Sequence, residues 1–176
     1  MSGPYTEVKS EMVPLLTLIP PSLFATPELV HVDMKDTNEP GLIFTKSGSG
    51  MVAWIPWDLG SLYYRESLPA HAALFKDIVN RLNPQRQLET NAHPLVEITW
   101  MKQNGRQLLH LINLSGHSQT GYFPPIPMHD IRIKLAGEFT SAQTVRSPRR
   151  LEISHEAGYS ELTVPELVDY ELLVLD

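Results

Sequence analysis

The sequence predicts an α+β chain: short strands and one main helix in residues 1–84, a linker at 85–91, and an antiparallel β-sandwich in residues 92–176. Three observations predict it. Apolar residues fall at helical spacing in one clear place, Leu74, Phe75, Ile78, Val79 and Leu82. After residue 92 the hydrophobic period drops to two, the spacing of a pleated strand. Asn104–Gly105 then stands between two such runs, and that dipeptide is the strongest short-range hairpin signal. A chain of 176 residues has room for one ordinary domain or two small ones.

Taken in order, the first half is punctuated by Pro20, Pro21, Pro27 and Pro40–Gly41, which separate short apolar pieces. Residues 29–34 and 42–45 are candidate strands, and 47–50 is a turn by composition. Residues 51–55 then read as a buried strand stopped by Pro56. The helix comes next, with Ser67 as expected N-cap and Pro69 in its first turn, where the missing N–H costs little. Asp77 and Arg81 form an i,i+4 pair on its other side, and Asn83–Pro84 ends it.

In the second half, Val96, Ile98 and Trp100 alternate with Leu95, Glu97 and Thr99, and residues 107–114 follow the hairpin turn. Ile131, Ile133 and Leu135 alternate with Arg132 and Lys134. Residues 151–154 and 159–164 make a hairpin around Ala157–Gly158, and Tyr170, Leu172 and Val174 supply one face of a final strand. Short strands separated by turns, without a helical period, indicate a sandwich.

Composition narrows function. The chain has 14 Lys plus Arg against 20 Asp plus Glu, a net charge of −6, so nucleic acid and anionic membranes are poor partners. Its basic cluster, Arg146, Arg149 and Arg150, is as well explained by a solvated turn. With no cysteine there is no thiolate nucleophile and no Cys-type metal site. Apolar runs fall short of a membrane span, and a cytoplasmic location is expected. His110, His117 and His129 flank one long loop without metal-ligand spacing. No metal or cofactor is expected. Glu97, Glu138, Glu152, Glu161 and Glu166 are candidate carboxylates for glycosidase chemistry, which needs two facing each other; no GxSxG elbow or phosphate loop is present.

Aromatic clusters are the better binding candidates. Trp57, Tyr63 and Tyr64 follow a strand end, with Asp58 and Arg65 as orienting rim groups. Tyr122 and Phe123 lead into a proline-stiffened stretch at residues 121–127. Such rings stack on sugars or anchor a protein interface, or staple their own loop.

Residues 50–57, with Gly60–Ser61–Leu62–Tyr63–Tyr64 and the helix after them, resemble the C-terminal half of the β-galactosidase trimerisation domain of glycoside hydrolases. Residues 93–97, 110–115 and 164–171 are similar to the β-sandwich that ends those enzymes. This resemblance makes the first segment a partial α/β, flavodoxin-like piece. It implies that the chain corresponds to the C-terminal part of a larger glycosidase, whose catalysis belongs to a (β/α)8 barrel with no counterpart here. The family's domain resembles class I glutamine amidotransferases without their catalytic cysteine, in keeping with a cysteine-free chain. The implied role is accessory and oligomerising. Expected partners are further copies, a trimer among the forms, or a glycosidase catalytic domain, with carbohydrate binding and independent glycoside hydrolysis as alternatives.

Overall fold

The structure, a computed structural model, describes residues 5–19, 26, 28, 37–83, 85–118 and 120–176. The strand expected at 29–34 lies outside them. The chain divides into two compact units, Met1–Gln85 and Arg86–Asp176.

In the first unit, β1 (Leu16–Thr17), β2 (Pro40–Ser47) and β3 (Gly50–Trp54) form a three-stranded antiparallel sheet in that order. The expected turn at 47–50 closes the β2–β3 hairpin, with Ser47 opposite Gly50 and Gly48 at φ +59°. Glycine takes that left-handed conformation without steric cost. β3 is not the buried strand its composition suggested, because Met51 and Val52 are exposed.

Two helices follow where one was expected, α1 (Leu59–Glu66) and α2 (Pro69–Leu82). The first is short, and its buried residues Leu59 and Leu62 mark too little of a stripe to be read as a period. Ser67 is therefore not the N-cap of the main helix. It ends α1 at φ +49°, its N–H donating to Tyr63 O at 2.8 Å. Leu68 precedes α2, and Pro69 starts it with φ already set. The apolar stripe of α2 is split: Ile78 is buried and Leu74 packs on the core, but Phe75, Val79 and Leu82 face water. Arg81 lies over the Phe44 ring, 4.9 Å from its centroid. Leu42, Leu59 and Ile78 form the buried centre, flanked by Phe44, Ala53, Ile55, Trp57 and Leu74. Doubly wound sheets are built on parallel strands. Among the described residues every strand pair of this unit is antiparallel, so the flavodoxin-like character is not seen.

The second unit holds β4 (Leu88–Thr90), β5 (Val96–Gln103), β6 (Arg106–Asn113), β7 (His117–Ser118), β8 (Gly121–Tyr122), β9 (Met128–Ala136), β10 (Ala142–Thr144), β11 (Arg149–Leu151), β12 (Ser154–Glu156), β13 (Tyr159–Leu167) and β14 (Tyr170–Leu175). They pair antiparallel as a five-stranded sheet, β11-β10-β14-β6-β5, a four-stranded sheet, β12-β13-β9-β4, and a small β7-β8 ribbon. Leu109, Leu111, Leu173 and Leu175 of the first sheet and Ile131, Ile133, Leu135, Leu162 and Val164 of the second form one buried cluster between them. The β5–β6 turn has Asn104 and Gly105 at φ +50° and +85°, as a type I′ hairpin requires.

Two local expectations change. The polar stretch 85–91, read as a linker, contains β4, which pairs Leu88 with Leu135 and packs it on the core. The hairpin around Ala157–Gly158 joins β12 to β13, while Leu151 belongs to the other sheet, opposite Ala142. Tyr170, Leu172 and Val174 do share one face of β14, and it is the opposite face, with Leu173 and Leu175, that the core takes. Both faces of that strand are apolar, so period alone does not choose between them.

Candidate functional site

Asn113 ends β6 at an inward position and is 5% exposed. Its amide donates to Val168 O at 2.7 Å and Ile126 O at 2.8 Å, and its Oδ1 accepts from Ser115 N at 3.1 Å. Ser115 Oγ in turn accepts from Ile126 N at 2.8 Å. A buried amide with its donors and acceptor matched fixes a loop more firmly than surface contacts can. Phe123 N donates to Gly116 O at 2.8 Å, and a Cβ on Gly116 would lie 2.1 Å from Phe123 O, so only glycine permits this approach.

The result is a loop pinned at both ends with an apolar tip. Tyr122, Phe123 and Ile126 are 76%, 66% and 69% exposed, on backbone stiffened by Pro124, Pro125 and Pro127. His117 sits edge-on to Tyr122, ring centroids 5.4 Å apart. Rigid exposed rings lose little entropy on contact and offer flat apolar faces. The aromatic pair was legible in the sequence. Asn113 was not, because it lies inside the strand read at 107–114 and its partners, Ile126 and Val168, are 13 and 55 residues away.

The other candidates divide. Trp57 is half-buried against the first unit's core, with Nε1 donating to Gly41 O at 3.1 Å and its ring 6.0 Å from that of His71. It staples the strand-to-helix connection. Asp58 caps α1, accepting from Ser61 N at 3.1 Å. Its carboxyl is held below the usual range, first by the Ser61 side-chain hydrogen bond and then by that N–H, with the Arg65 charge contributing least. Tyr63 and Tyr64 are 38% and 88% exposed on the same helix. Trp57 and Asp58 thus serve the local fold, and Tyr64 projects from it.

Glycosidase geometry needs two free carboxyls across one cleft. A cavity of about 290 Å³ is lined by Glu166, Asp169 and Glu171, together with Arg146, Arg149 and Tyr170. Glu171, absent from the sequence candidates, is 3% exposed. Its Oε1 accepts from the N–H groups of Val145, Arg146 and Leu172, and its Oε2 from that of Ser147. Asp169 pairs with Arg146 at 2.8 Å and accepts from Tyr170 N. Both carboxylates hold the 145–147 loop in place. Glu152 and Glu161 line a second, shallower depression with Asp130, Arg149 and Arg150. Glu97 and Glu138 are exposed. His110 Nδ1 and Tyr170 OH share a hydrogen bond at 2.8 Å, and His129 is exposed. Among the described residues no three His, Asp or Glu side chains converge as a metal site, and no helix is long and apolar enough to cross a membrane.

No protein-family model and no curated protein matches the sequence. Solved structures do match. α-L-Fucosidase isoenzyme 2 from Paenibacillus thiaminolyticus is similar over 93% of this chain, at 17% identity and a TM-score of 0.67. That span takes in residues of both units, since neither alone reaches such a share. The chain covers 25% of the fucosidase. A cycloisomaltooligosaccharide glucanotransferase from Paenibacillus sp., complexed with cycloisomaltoheptaose, matches 59% of this chain and 20% of its own at 13% identity. Its TM-score of 0.38 is too low to argue a shared fold. The structural neighbours are glycoside hydrolase-related, and what this chain shares with the fucosidase is the fold.

Proposed function

We propose that this chain is a non-catalytic accessory region of a glycoside hydrolase, which packs against a catalytic barrel and supports its assembly. The observation that carries the reading is the likeness, at a TM-score of 0.67, to a stretch making up 25% of a fucosidase chain. In this reading residues 1–84 correspond to part of a β-galactosidase trimerisation-like domain and residues 92–176 to the terminal sandwich. The engaged carboxylates favour it as well: Glu171 and Asp169 anchor a loop and are not free to serve as acid or nucleophile. The chain should therefore turn over no aryl glycoside, aryl α-L-fucosides and β-galactosides included. Hydrolysis abolished by one substitution, with Glu152→Gln and Glu161→Gln the first to make, overturns the reading.

A second reading is favoured by the pinned loop. Tyr122 and Phe123 are presented as a rigid apolar platform on which a pyranose ring can stack. Under it the sandwich itself binds carbohydrate. Titration calorimetry with soluble oligosaccharides, repeated on Tyr122→Ala, distinguishes this from a loop that only meets protein.

A further inference from the structure

The cavity of about 290 Å³ lies at one end of the sandwich, where the turn at Val168–Asp169 joins β13 to β14 and residues 145–148 join β10 to β11. Five charged side chains line it: Arg146, Arg149, Glu166, Asp169 and Glu171. Three of them are engaged by the protein itself. Glu171 accepts from the four N–H groups described above, and Arg146 pairs with Asp169 at 2.8 Å. The other two, Arg149 and Glu166, make no hydrogen bond or ion pair among the described residues. The wall around them is fixed. Tyr170 donates its N–H to Asp169 and shares its hydroxyl with His110. Val168 is held through Asn113, whose amide nitrogen donates both to Val168 O and to Ile126 O. One side chain thus pins the cavity wall and the Tyr122–Phe123 loop together. A fixed frame that leaves one donor and one acceptor unused is the form a polar ligand site takes.

We propose that this cavity is a subsite for one neutral pyranose ring. Its volume lies at the lower bound of small-molecule sites, about 300 Å³, which suits a single ring and not a chain. The charges of Arg149 and Glu166 cancel, so the unused groups call for a ligand without net charge. Vicinal hydroxyls meet both of them, because each hydroxyl donates and accepts. The guanidinium fork donates to two adjacent oxygens, and the carboxylate accepts from their protons. Ser147 adds a hydroxyl to the wall and Tyr170 a ring. The Tyr122–Phe123 loop, held by the same amide, gives this end of the sandwich the flat apolar faces on which sugars stack.

Size sets the affinity. One ring at ordinary ligand efficiency binds with a Kd of about 1–10 mM. The subsite extends the second reading above, that the sandwich binds carbohydrate, without using the aromatic platform, so the two can fail separately.

Amide proton–nitrogen NMR spectra of the full chain, titrated to about 50 mM with the methyl pyranosides of glucose, galactose, mannose and xylose, test it. With at least one of them, saturating shifts are expected at residues 144–149 and 166–171. Arg149→Met should raise Kd at least about ten-fold and Glu166→Gln about five-fold, as loss of a charged hydrogen-bond partner does. Lys102→Met, at the far end of β5, should leave it unchanged. Arg149 and Glu166 are exposed, and the same spectra show that each variant folds. Shifts confined to residues 117–127 overturn the proposal and leave the platform standing; shifts confined to the cavity do the reverse. Absence of shifts with every probe overturns it, as does binding indifferent to both cavity substitutions. Tighter, Arg149-dependent binding of glucuronate or L-alanine overturns it in favour of an anion or a zwitterion.

Discussion

The second unit encloses a large apolar core between two sheets, whereas the described residues of the first bury a small one. In the sandwich, Leu109, Leu111, Ile133, Leu135, Leu173 and Leu175 are fully buried. Among the described residues of the first unit, the buried centre is Leu42, Leu59 and Ile78, and Phe75, Val79 and Leu82 lie exposed along α2. The difference is one of layers. Two facing sheets bury one side of every strand, but one small sheet with two short helices has fewer faces to set against each other. The fraction of surface a chain can bury also falls as its core shrinks. The sandwich should accordingly hold the larger share of stability.

The largest expected effect tests that directly. Ile133→Ala removes a side chain with no exposure from the centre of the sandwich and should cost about 4 kcal/mol, measured by urea denaturation. A loss below about 1 kcal/mol would mean the sheets are not packed as described. Trp57→Ala should cost about 3 kcal/mol, the low end for a buried aromatic because the ring is only half-buried, and should act on the first unit's transition alone. An unchanged melt with weakened assembly would instead make Trp57 an interface anchor. Asn113→Ala strands the carbonyls of Ile126 and Val168 and should cost about 2 kcal/mol. Proton NMR should show the Tyr122 and Phe123 ring signals broadening as the pinned loop loosens.

Two smaller effects sharpen the contrast. Phe75→Ser on the exposed side of α2 should change stability by no more than about 0.5 kcal/mol, the usual range for surface substitutions. A larger loss would show that α2 has a partner covering that stripe. The smallest concerns Asp58. Its folded-state pKa is depressed by Ser61, so its contribution to α1 is present above the unfolded carboxylate value and disappears as pH falls through the folded one. Amide exchange of α1 should quicken between about pH 5 and about pH 2 relative to the intrinsic rate, and Asp58→Asn should flatten that dependence.

Local chemistry made much of this legible. Asn104–Gly105 and Ala157–Gly158 sit at hairpin turns with positive φ, and Val96, Ile98, Ile131, Ile133 and Leu135 alternate inward as their period requires. Tyr122 and Phe123 stood out as large rings leading into a proline-stiffened stretch, and both are exposed. Where a signal depended on partners, it failed. Ser67 has the chemistry of an N-cap, yet a separate eight-residue helix, α1, lay upstream, and the same residue became its C-cap.

What the sequence determined by itself was therefore the kind of each element: a two-period half, a helical stripe, a rigid aromatic loop, and the absence of thiol chemistry. These follow from side-chain spacing and backbone preference, which act within a few residues. The tertiary structure decided which face of β14 is core, which carboxylate is buried, and that residues 88–90 join a sheet. Register is the reason. Leu172 and Leu173 are equally apolar, and Glu171 is as charged as Glu166; only pairing Leu173 with Leu109 turns one leucine inward, one outward, and places Glu171 beneath the 145–147 loop that satisfies it.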